Sequence, residues 1–510
     1  MLTRLKQIIG FNPVTWALSS GVMSQRVEEF LETAPPPTSP TGPQCLVVIS
    51  PWVGTAVPWF SLAVGLMLAA EGASVTFVID DQRFGGNALR HAVIVRAIRR
   101  VMARVGKRFP VLQLSDIDAA PLRPDDGVEI DRLARLNATW KLRGEIIQTG
   151  RAALEEANRR QISAAYGRIA GVFQGRACDM LFVPGGVYGA SGIWSLLARR
   201  ANVRVATYDT GGYETVMLAA DGLACQLQDV PRAFAAVRKR SADTPGERAA
   251  ILAAANEEIS KRQQGRDTFA SQVRDSGAPD QVLRGGVLIA LNSSWDAAAL
   301  GPHEVFPGNT EWIVQTVRHL LDHTAAPVIV RQHPAERLAF ASTTDDYRAL
   351  LEKHFGDHPR LHFIAAADPI NSYALLEQVS AVVVHTSTIG IEAAAFGRPV
   401  VTGSTAYYSG LAFVNRADTL EEYHRLLEAA ARGDLHVTPA MQEDARICFY
   451  VTQCRNWVFS TFNPADYVRW SREPLQHWRS QPAVRRMLES LLTNTPVAEL
   501  NHAAHPLGGP

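Results

Sequence analysis

The stretch from Ala381 to Val401, AVVVHTSTIGIEAAAFGRPVV, indicates how the second half of this chain folds. Its apolar start, Ala381–Val384, predicts a buried strand, and the polar residues after it predict a turn into a helix near Gly390. Gly397 ends that helix, and the next apolar run predicts another strand. Backbone N–H groups at a helix start lack partners within the helix and carry partial positive charge, so this turn is suited to an anion. An ordinary capped helix in an α/β domain is the alternative interpretation.

A second set of polar residues follows the strand predicted at Pro327–Val330. Arg331 offers a planar guanidinium that suits a phosphate, and His333 can donate a hydrogen bond or titrate near neutral pH. Pro334 turns the chain away from the strand end. A His-Pro pair alone usually marks a turn, but a Ser-Thr-x-Gly-x-Glu pattern begins at Ser387 in the same predicted domain. The two patterns together indicate a binding site more specifically than either does alone.

The segments RQHPAE, at 331–336, and NSYALLEQVSAVVVHTSTIGIEAAAFGRPVV, at 371–401, resemble the donor-binding half of GT-B glycosyltransferases. The greatest similarity is to the bacterial capsule polysaccharide and surface-carbohydrate biosynthesis family, which includes the Kdo transferases of capsule assembly. The pairs Ser372-Tyr373 and Tyr407-Tyr408 also resemble that family. The resemblance extends over residues 288–423 and is only topological before them.

The resemblance implies an α/β fold of two Rossmann-like parallel-sheet domains that face a cleft. It also implies a glycosyltransferase that moves a sugar from a nucleotide-activated donor to a surface polysaccharide or glycolipid acceptor, in capsule or lipopolysaccharide-type biosynthesis. The nucleotide-sugar is then a substrate, and no cofactor is expected. In this interpretation Glu392 binds the ribose or the nucleobase, and Glu336 orients His333 or contacts the sugar. The implied donor and nucleotide contacts, with His333 also catalytic, are Arg331, His333, Glu336, Ser372, Ser387, Thr388, Gly390 and Glu392.

Stabilisation of the leaving phosphate is the main chemical requirement of such a transfer. Helix N-termini and arginine can stabilise its charge without a metal ion, and the sequence has no strong Asp-x-Asp pattern in a suitable loop. The adjacent pairs Asp125-Asp126 and Asp345-Asp346 fit solvated helix starts better than metal ligands. A metal-independent reaction with no bound metal is therefore expected.

Two alternative functions remain open at this point. The first is a teichoic-acid-type glycerol- or ribitol-phosphotransferase, which also uses His-Pro and Ser-Ser/Thr turns in a GT-B frame. The second is a noncatalytic GT-B-fold partner in capsule assembly or export, and the presence of both RQHPAE and TSTIGIE argues against it.

Length and composition limit the class of protein. A chain of 510 residues predicts two domains with additional segments, and 47% hydrophobic with 20% charged residues is typical of a globular protein. Lys and Arg number 51 against 50 Asp and Glu, which argues against nucleic acid as a partner. The five cysteines show no CxxC spacing, so neither a zinc site nor a disulfide framework is expected.

The apolar segments predict a cytoplasmic protein. The first eleven residues contain too short an apolar run for a secretory signal, and the longest apolar run, Val57–Ala70, is too short to span a membrane. An enzyme of envelope synthesis can still contact the inner membrane peripherally, and that contact is left open.

The first half of the chain also predicts a parallel sheet. Unbroken apolar strands at Cys45–Ser50 and Ser74–Asp80 flank a helix at Pro58–Glu71, as expected for a sheet buried on both faces. The first turn, PWVGTAVP, lacks the G-x-G-x-x-G pattern of a dinucleotide site, so Asp80 is interpreted as a strand-end cap. Later strands end in Gly185-Gly186 and in Asp209–Tyr213. These glycines either bring backbone close to a ligand or only supply positive φ for tight turns.

The acceptor contacts are predicted at the carboxyl edge of this first sheet, where open α/β sheets bind ligands. Asp209 is the candidate catalytic base or acceptor contact. The remaining acceptor-side candidates are Trp52, Gly54, Thr55 and Tyr213.

The predicted domain organisation follows from these patterns and from proline-rich and charged segments. Residues 1–43 are a helical lead-in with a Pro-rich linker, and 44–243 are the acceptor domain. A helical connector at 244–284 leads to the donor-nucleotide domain at 285–435. By the resemblance, 436–496 contain helices that cross back to the first domain, and 497–510 are predicted to be disordered.

Overall fold

The chain folds into two compact units, each built around one sheet. The computed structural model describes residues 13–505 except 38, 53–54, 85, 147–148, 212–213 and 267–276. Unit 1 comprises Met1–Asn137, Ala152–Asp229 and Asn456–Asn501, and unit 2 comprises Ala138–Arg151, Val230–Arg455 and His502–Pro510. The predicted fold class, α/β with two Rossmann-like parallel-sheet domains, is confirmed.

The regular elements are numbered here in chain order. The strands are β1 Gln44–Ile49, β2 Ser74–Ile79, β3 Val111–Gln113, β4 Met180–Pro184, β5 Arg204–Thr210, β6 Thr215–Ala219, β7 Val287–Ala290, β8 Val328–Arg331, β9 Leu361–Ile364, β10 Ala381–Val384, β11 Val400–Thr402, β12 Asn415–Arg416 and β13 Trp457–Phe459. The α-helices are α1 Pro13–Thr33, α2 Val57–Ala70, α3 Ala88–Val105, α4 Asp126–Leu142, α5 Arg151–Phe173, α6 Gly189–Arg200, α7 Val230–Ala242, α8 Pro245–Gln263, α9 Asn309–His323, α10 Tyr347–Phe355, α11 Ser372–Gln378, α12 Ile389–Ala395, α13 Leu420–Arg432, α14 Pro439–Phe449, α15 Tyr467–Trp470, α16 Leu475–Ser480, α17 Pro482–Thr493 and α18 Val497–Ala504.

The sheet of unit 1 has seven strands in the order β13-β6-β5-β4-β1-β2-β3. The strands from β5 to β3 pair in parallel, whereas β6 and β13 pair antiparallel at the other edge. In β1, Leu46 and Val48 join the core formed with α4, α5 and α6, whereas Val47 and Ile49 join the core on the opposite face. Helices thus cover both faces, which is why the central strands have unbroken apolar sequences.

Helix α1 is part of the core of unit 1 and is not a lead-in that precedes the domain. Its residues Trp16, Met23, Val27 and Phe30 are at most 2% exposed and pack with α2, α3 and the sheet. The apolar residues recur at helical spacing, which gives α1 one face that can be buried in this way. Residues 1–12 of the predicted lead-in lie outside the described residues.

The sheet of unit 2 has six parallel strands in the order β12-β11-β10-β7-β8-β9. The four residues of β7, of β8 and of β10 are all buried. Strand β7 lies between β8 and β10, so the two motifs that follow β8 and β10 are separated by a single strand. This order positions the candidate site described below.

Three predicted boundaries differ from the structure. Helix α8, in the segment 244–284 predicted as a connector, belongs to unit 2, and so do residues 436–455. The chain returns to unit 1 at Asn456, where β13 pairs with β6. Disorder from residue 497 is wrong for α18, a helix whose Val497 and Ala498 are buried, and residues 506–510 lie outside the described residues. Among the described helices, none is long and apolar enough to cross a membrane.

Replacement of Phe30 tests whether α1 stabilises unit 1. Phe30 is 2% exposed, so Phe30→Ala should lower the free energy of unfolding by about 3–5 kcal/mol, through lost apolar burial and the cavity left behind. Leu18→Ala on the same helix is the control, because Leu18 is 68% exposed. Urea unfolding curves that show equal losses for the two variants would contradict the role of α1 in the core.

Candidate functional site

The two predicted motifs lie at the same edge of the sheet of unit 2. Strand β7 pairs in parallel with both neighbours, and Ala290 is opposite Val384 of β10 and Arg331 of β8. The carboxyl ends of parallel strands meet at one edge, which is where open α/β sheets bind ligands. The polar residues that follow β7, β8 and β10 therefore form one row along this edge.

A hydrogen bond joins the ends of β7 and β10. The backbone N–H of Thr386 donates to Oδ1 of Asn292, which follows β7, at 3.1 Å. Asn292 was not a predicted site residue. An amide at a strand end is a signal that could have identified it, since its neighbours Ser293 and Ser294 are polar too.

The turn between β10 and α12 is fixed by Tyr408. Its hydroxyl donates to the carbonyl oxygen of Ser387 at 2.5 Å, and the N–H of Gly390 donates to the same carbonyl at 3.0 Å. A Cβ atom on Gly390 would lie 2.8 Å from the hydroxyl oxygen of Tyr408. Glycine is required here because Tyr408 is fully buried and occupies the space of a side chain.

Ser387 and Thr388 lie in the turn that leads into α12. Thr388 occupies the N-cap position, but its side chain makes no capping hydrogen bond. Ser387 and Thr388 lie beside the strand edge, and Ser387 is 7% exposed. Their contact with a donor stays a prediction.

Glu392 has a protein partner within unit 2. It is 4% exposed, and its Oε1 lies 2.9 Å from Nη1 of Arg262, on α8. Arg262 also donates to Gln453 and lies 5.3 Å from the ring centre of Phe449. A ribose or nucleobase that contacts Glu392, as predicted, would therefore have to bind to a carboxylate that is already paired with Arg262.

His333 is a neutral hydrogen-bond donor at the end of β8. Its Nδ1 accepts the N–H of Ala335 at 3.2 Å and thereby caps the short 3₁₀ helix Pro334–Arg337. Burial, reinforced by the positive charge of Arg331, lowers the pKa of His333 to about 4. The neutral imidazole consequently carries its proton on Nε2, since Nδ1 is the acceptor.

Within the described chain the side chain of Glu336 bonds to Gln332 and not to the imidazole of His333, and its contact with the sugar stays a prediction. Its Oε2 accepts a hydrogen bond from Nε2 of Gln332 at 2.6 Å, and its carboxyl group lies near the side chain of Ser293 after β7. The residue is 6% exposed, and burial raises its pKa to about 7. Glu336 thus lies close to the ends of both β7 and β8 and holds a proton for part of the time near neutral pH.

Arg331 and Ser372 were expected to contact the donor, and the structure shows protein groups next to both residues. Arg331 is 3% exposed, and its guanidinium donates to the carbonyl oxygens of Ala365 and, at 3.1 Å, of Ile370. Ser372 is the first residue of α11, but the cap is Asn371, whose Oδ1 accepts two backbone N–H groups. These contacts hold the segment between β9 and α11 against the end of β8. Donor binding by Arg331 and Ser372 stays a prediction.

The acceptor candidates lie in unit 1. Asp209 is half-buried within β5, opposite Met217 of β6, and its Oδ1 accepts the N–H of Thr210 at 2.7 Å. It therefore lies in an antiparallel hairpin and not in a turn that follows the strand. Trp52 and Thr55 are half-buried, and Gly54 and Tyr213 lie outside the described residues.

No group of three or more His, Cys, Asp or Glu side chains that could hold a metal ion occurs within the described part of the chain.

Residues 261–442 match the model of a protein family described as capsule polysaccharide biosynthesis protein. The predicted resemblance to this family is confirmed over these residues. This capsule-synthesis region contains β7 to β12 and the whole edge described above. No curated protein matches the chain.

Solved structures to which this chain is similar include two Kdo transferases of Thermosulfurimonas dismutans KpsC and one MurG. The Thermosulfurimonas dismutans KpsC beta Kdo 2,4 transferase shares 12% identity with a TM-score of 0.36, covering 53% of this chain and 79% of that one. The beta Kdo 2,7 transferase of the same KpsC shares 16% with a TM-score of 0.29, covering 60% and 86%. Acinetobacter baumannii MurG shares 11% with a TM-score of 0.25, covering 79% and 95%. TM-scores this low assign no activity to this chain.

Substitution of Gly390 tests the geometry of the β10–α12 turn. Gly390→Ala should reduce stability by about 1–3 kcal/mol because its Cβ would overlap the hydroxyl of Tyr408. Tyr408→Phe removes that hydroxyl, so Gly390→Ala should cost less in the Tyr408→Phe background. A double-mutant cycle from denaturant unfolding measures this coupling. Strictly additive losses would show that Tyr408 does not set the requirement for glycine.

Proposed function

We propose that this protein is a glycosyltransferase that moves a sugar from a nucleotide-activated donor to a surface polysaccharide or glycolipid acceptor during capsule-type biosynthesis. Unit 2 binds the donor, and unit 1 binds the acceptor. The observation that carries the proposal is the row of polar strand ends in the capsule-synthesis region, where the motifs RQHPAE and TSTIGIE flank the end of β7.

The donor phosphate would be stabilised at this edge by groups that are neutral hydrogen-bond donors. His333 presents an Nε2–H, and the turn at Ser387 presents hydroxyl and backbone N–H groups at the start of α12. Because these dipoles are already oriented, they stabilise the charge that develops on a leaving group and need not reorganise during the reaction. Glu336, which bonds to Gln332 and lies near Ser293, has a carboxyl that can donate when protonated and accept when ionised.

The transfer breaks the bond between the sugar's anomeric carbon and the donor phosphate oxygen, and forms a bond from that carbon to an acceptor hydroxyl oxygen. The phosphate leaves with the electron pair of the broken bond, and the hydroxyl proton passes to a base. Asp209 is the candidate base in unit 1. Its place in a hairpin gives it a fixed backbone, and replacement by Asn would keep its shape while removing the basic oxygen.

Nucleotide binding separates this proposal from its alternatives. Stabilisation by CMP or CDP against thermal unfolding favours a transferase, and stabilisation by UDP assigns a different class of sugar donor. A donor that carries glycerol or ribitol phosphate on CDP would indicate the teichoic-acid-type reaction. No response to any of the three nucleotides would favour a noncatalytic partner in assembly or export.

Loss of the His333 imidazole should weaken nucleotide binding. His333→Ala removes a neutral hydrogen bond, worth about 0.5–1.5 kcal/mol, so the Kd measured by calorimetry should rise roughly two- to tenfold. The transfer rate should fall as well, because the bond strengthens as the phosphate leaves. His354→Ala is the control, since His354 is exposed on α10. An unchanged Kd for His333→Ala together with a raised Kd for Asp209→Asn would reverse the assignment of the two units.

Chelation tests the predicted independence from metal ions. If hydrogen-bond donors and helix N-termini stabilise the phosphate, sugar transfer should proceed at an undiminished rate in excess EDTA. Activity is followed by mass spectrometry of the product. A rate that collapses on chelation and returns with Mg²⁺ or Mn²⁺ would show that a metal performs this task instead.

A further inference from the structure

We propose that unit 1 contains a phosphate-binding site formed by the turn Gly185–Ser191 and the side chain of Ser50. The site would hold a phosphate ester group of the acceptor. Its assignment to the acceptor rests on the proposed function, whereas the binding of phosphate is argued from the residues of unit 1 alone.

The turn between β4 and α6 leaves several backbone donors unused. Within the described chain, the N–H groups of Gly186, Val187, Ala190 and Ser191 have no hydrogen-bond acceptor, whereas Gly189 donates to Oδ1 of Asn137 at 2.7 Å. Gly186 and Val187 are buried, where an unpaired N–H is costly. A bound anion would satisfy these donors.

Helix α6 adds a favourable electric field to this turn. It is twelve residues long, and its N-cap residue, Tyr188, makes no side-chain capping bond. The first turn of α6 contains no acidic residue that would offset the positive end of the dipole, and Arg199 and Arg200 lie in the last turn.

Two buried hydroxyl groups at the turn are independent signs of a ligand. Ser50 is 2% exposed and Ser195 is 4% exposed, and neither Oγ has a hydrogen-bond partner within the described chain. A Cβ atom on Gly186 would lie 2.9 Å from Oγ of Ser195, which places that hydroxyl directly beside the turn.

Strand geometry directs Ser50 to the same place. Side chains alternate along a strand, and Val48 belongs to the core that includes Ile193 and Trp194 of α6, so Ser50 points toward the side of α6. The parallel register between β1 and β4 places Val47 opposite Phe182, and the same spacing carried three residues further places Ser50 level with Gly185. Ser50 therefore lies at the start of the turn with its hydroxyl toward the helix.

Asp80 is the carboxyl group nearest in register to Ser50, and its burial reduces the negative charge that would oppose an anion. It follows β2, is 1% exposed, and accepts the indole N–H of Trp194 at 3.1 Å. Burial raises the pKa of Asp80 to about 7, so its negative charge is incomplete near neutral pH. The bond to Trp194 also fixes α6 against β2 and thereby keeps the turn in place.

The test is calorimetric titration of sn-glycerol 3-phosphate into the full-length protein and two variants. Ala190→Pro removes one unused N–H at a first-turn position, where proline is tolerated, and should raise the Kd at least about tenfold. Ser50→Ala removes one hydroxyl and should raise the Kd about threefold or more. Ala88→Pro, in the first turn of α3, is the matched control and should leave the Kd unchanged.

His333→Ala in unit 2 is titrated in parallel, because a donor site can also bind phosphate. An unchanged Kd in both Ala190→Pro and Ser50→Ala, or a loss confined to His333→Ala, would overturn the proposal. If Ala190→Pro fails to fold, Ser50→Ala alone decides the outcome.

Vesicles of phosphatidylglycerol distinguish the source of the phosphate. Vesicle binding that falls in the same two variants identifies a lipid phosphate, and vesicle binding that is unchanged while glycerol phosphate binding falls identifies a soluble ester.

Nucleotide titrations of the wild type test the proposed function separately from the phosphate site. A protein that binds no nucleotide contradicts the transferase assignment, but the effect of Ala190→Pro on glycerol phosphate still decides the phosphate site.

Discussion

The candidate donor site depends on the parallel pairing of β7 with β8 and β10. Because all three strands run in one direction, every polar segment that follows them is delivered to one edge of the sheet. A hydrogen bond from the backbone of Thr386 to the side chain of Asn292 then joins the ends of β10 and β7, and Glu336 after β8 lies near Ser293 after β7. A change that shifted the register of β7 by one residue would separate these partners and turn its buried side chains over.

The surroundings of the polar groups at this edge determine their protonation states. Burial keeps His333 neutral and raises the pKa of Glu336, so the edge carries less formal charge than its sequence suggests. The charged pair at Glu392 and Arg262 is internally neutralised. A phosphate arriving here would therefore meet oriented dipoles more than free cations, which fits stabilisation of a leaving group by preorganised hydrogen bonds.

Local patterns in the sequence were sufficient for the central strands of unit 2 and for the polar segments that follow them. The apolar runs at β8 and β10 end within one residue of the predicted positions, because full burial on both faces demands unbroken apolar residues. The partners of the site residues were not predictable in this way. Glu392 pairs with Arg262, 130 positions away, and Tyr408 reaches Ser387 across a turn whose shape depends on tertiary packing.

The first half of the chain shows the same limit. Helix α1 has an apolar stripe that the sequence displays, but its burial depends on α3 and on segments near the end of the chain. The short strands β6 and β13 lack a distinctive pattern, so Asp209 was expected in a turn and is found in a hairpin.

Hydrogen–deuterium exchange tests the central claim, that the strand ends of unit 2 bind the nucleotide of the donor. The full chain is compared alone and with CMP, CDP or UDP at saturating concentration. Slower exchange at residues 331–337 and 386–392 together is the predicted result, since both segments border the same strand. Protection confined to unit 1, with both segments unchanged by a nucleotide that binds, would contradict the account.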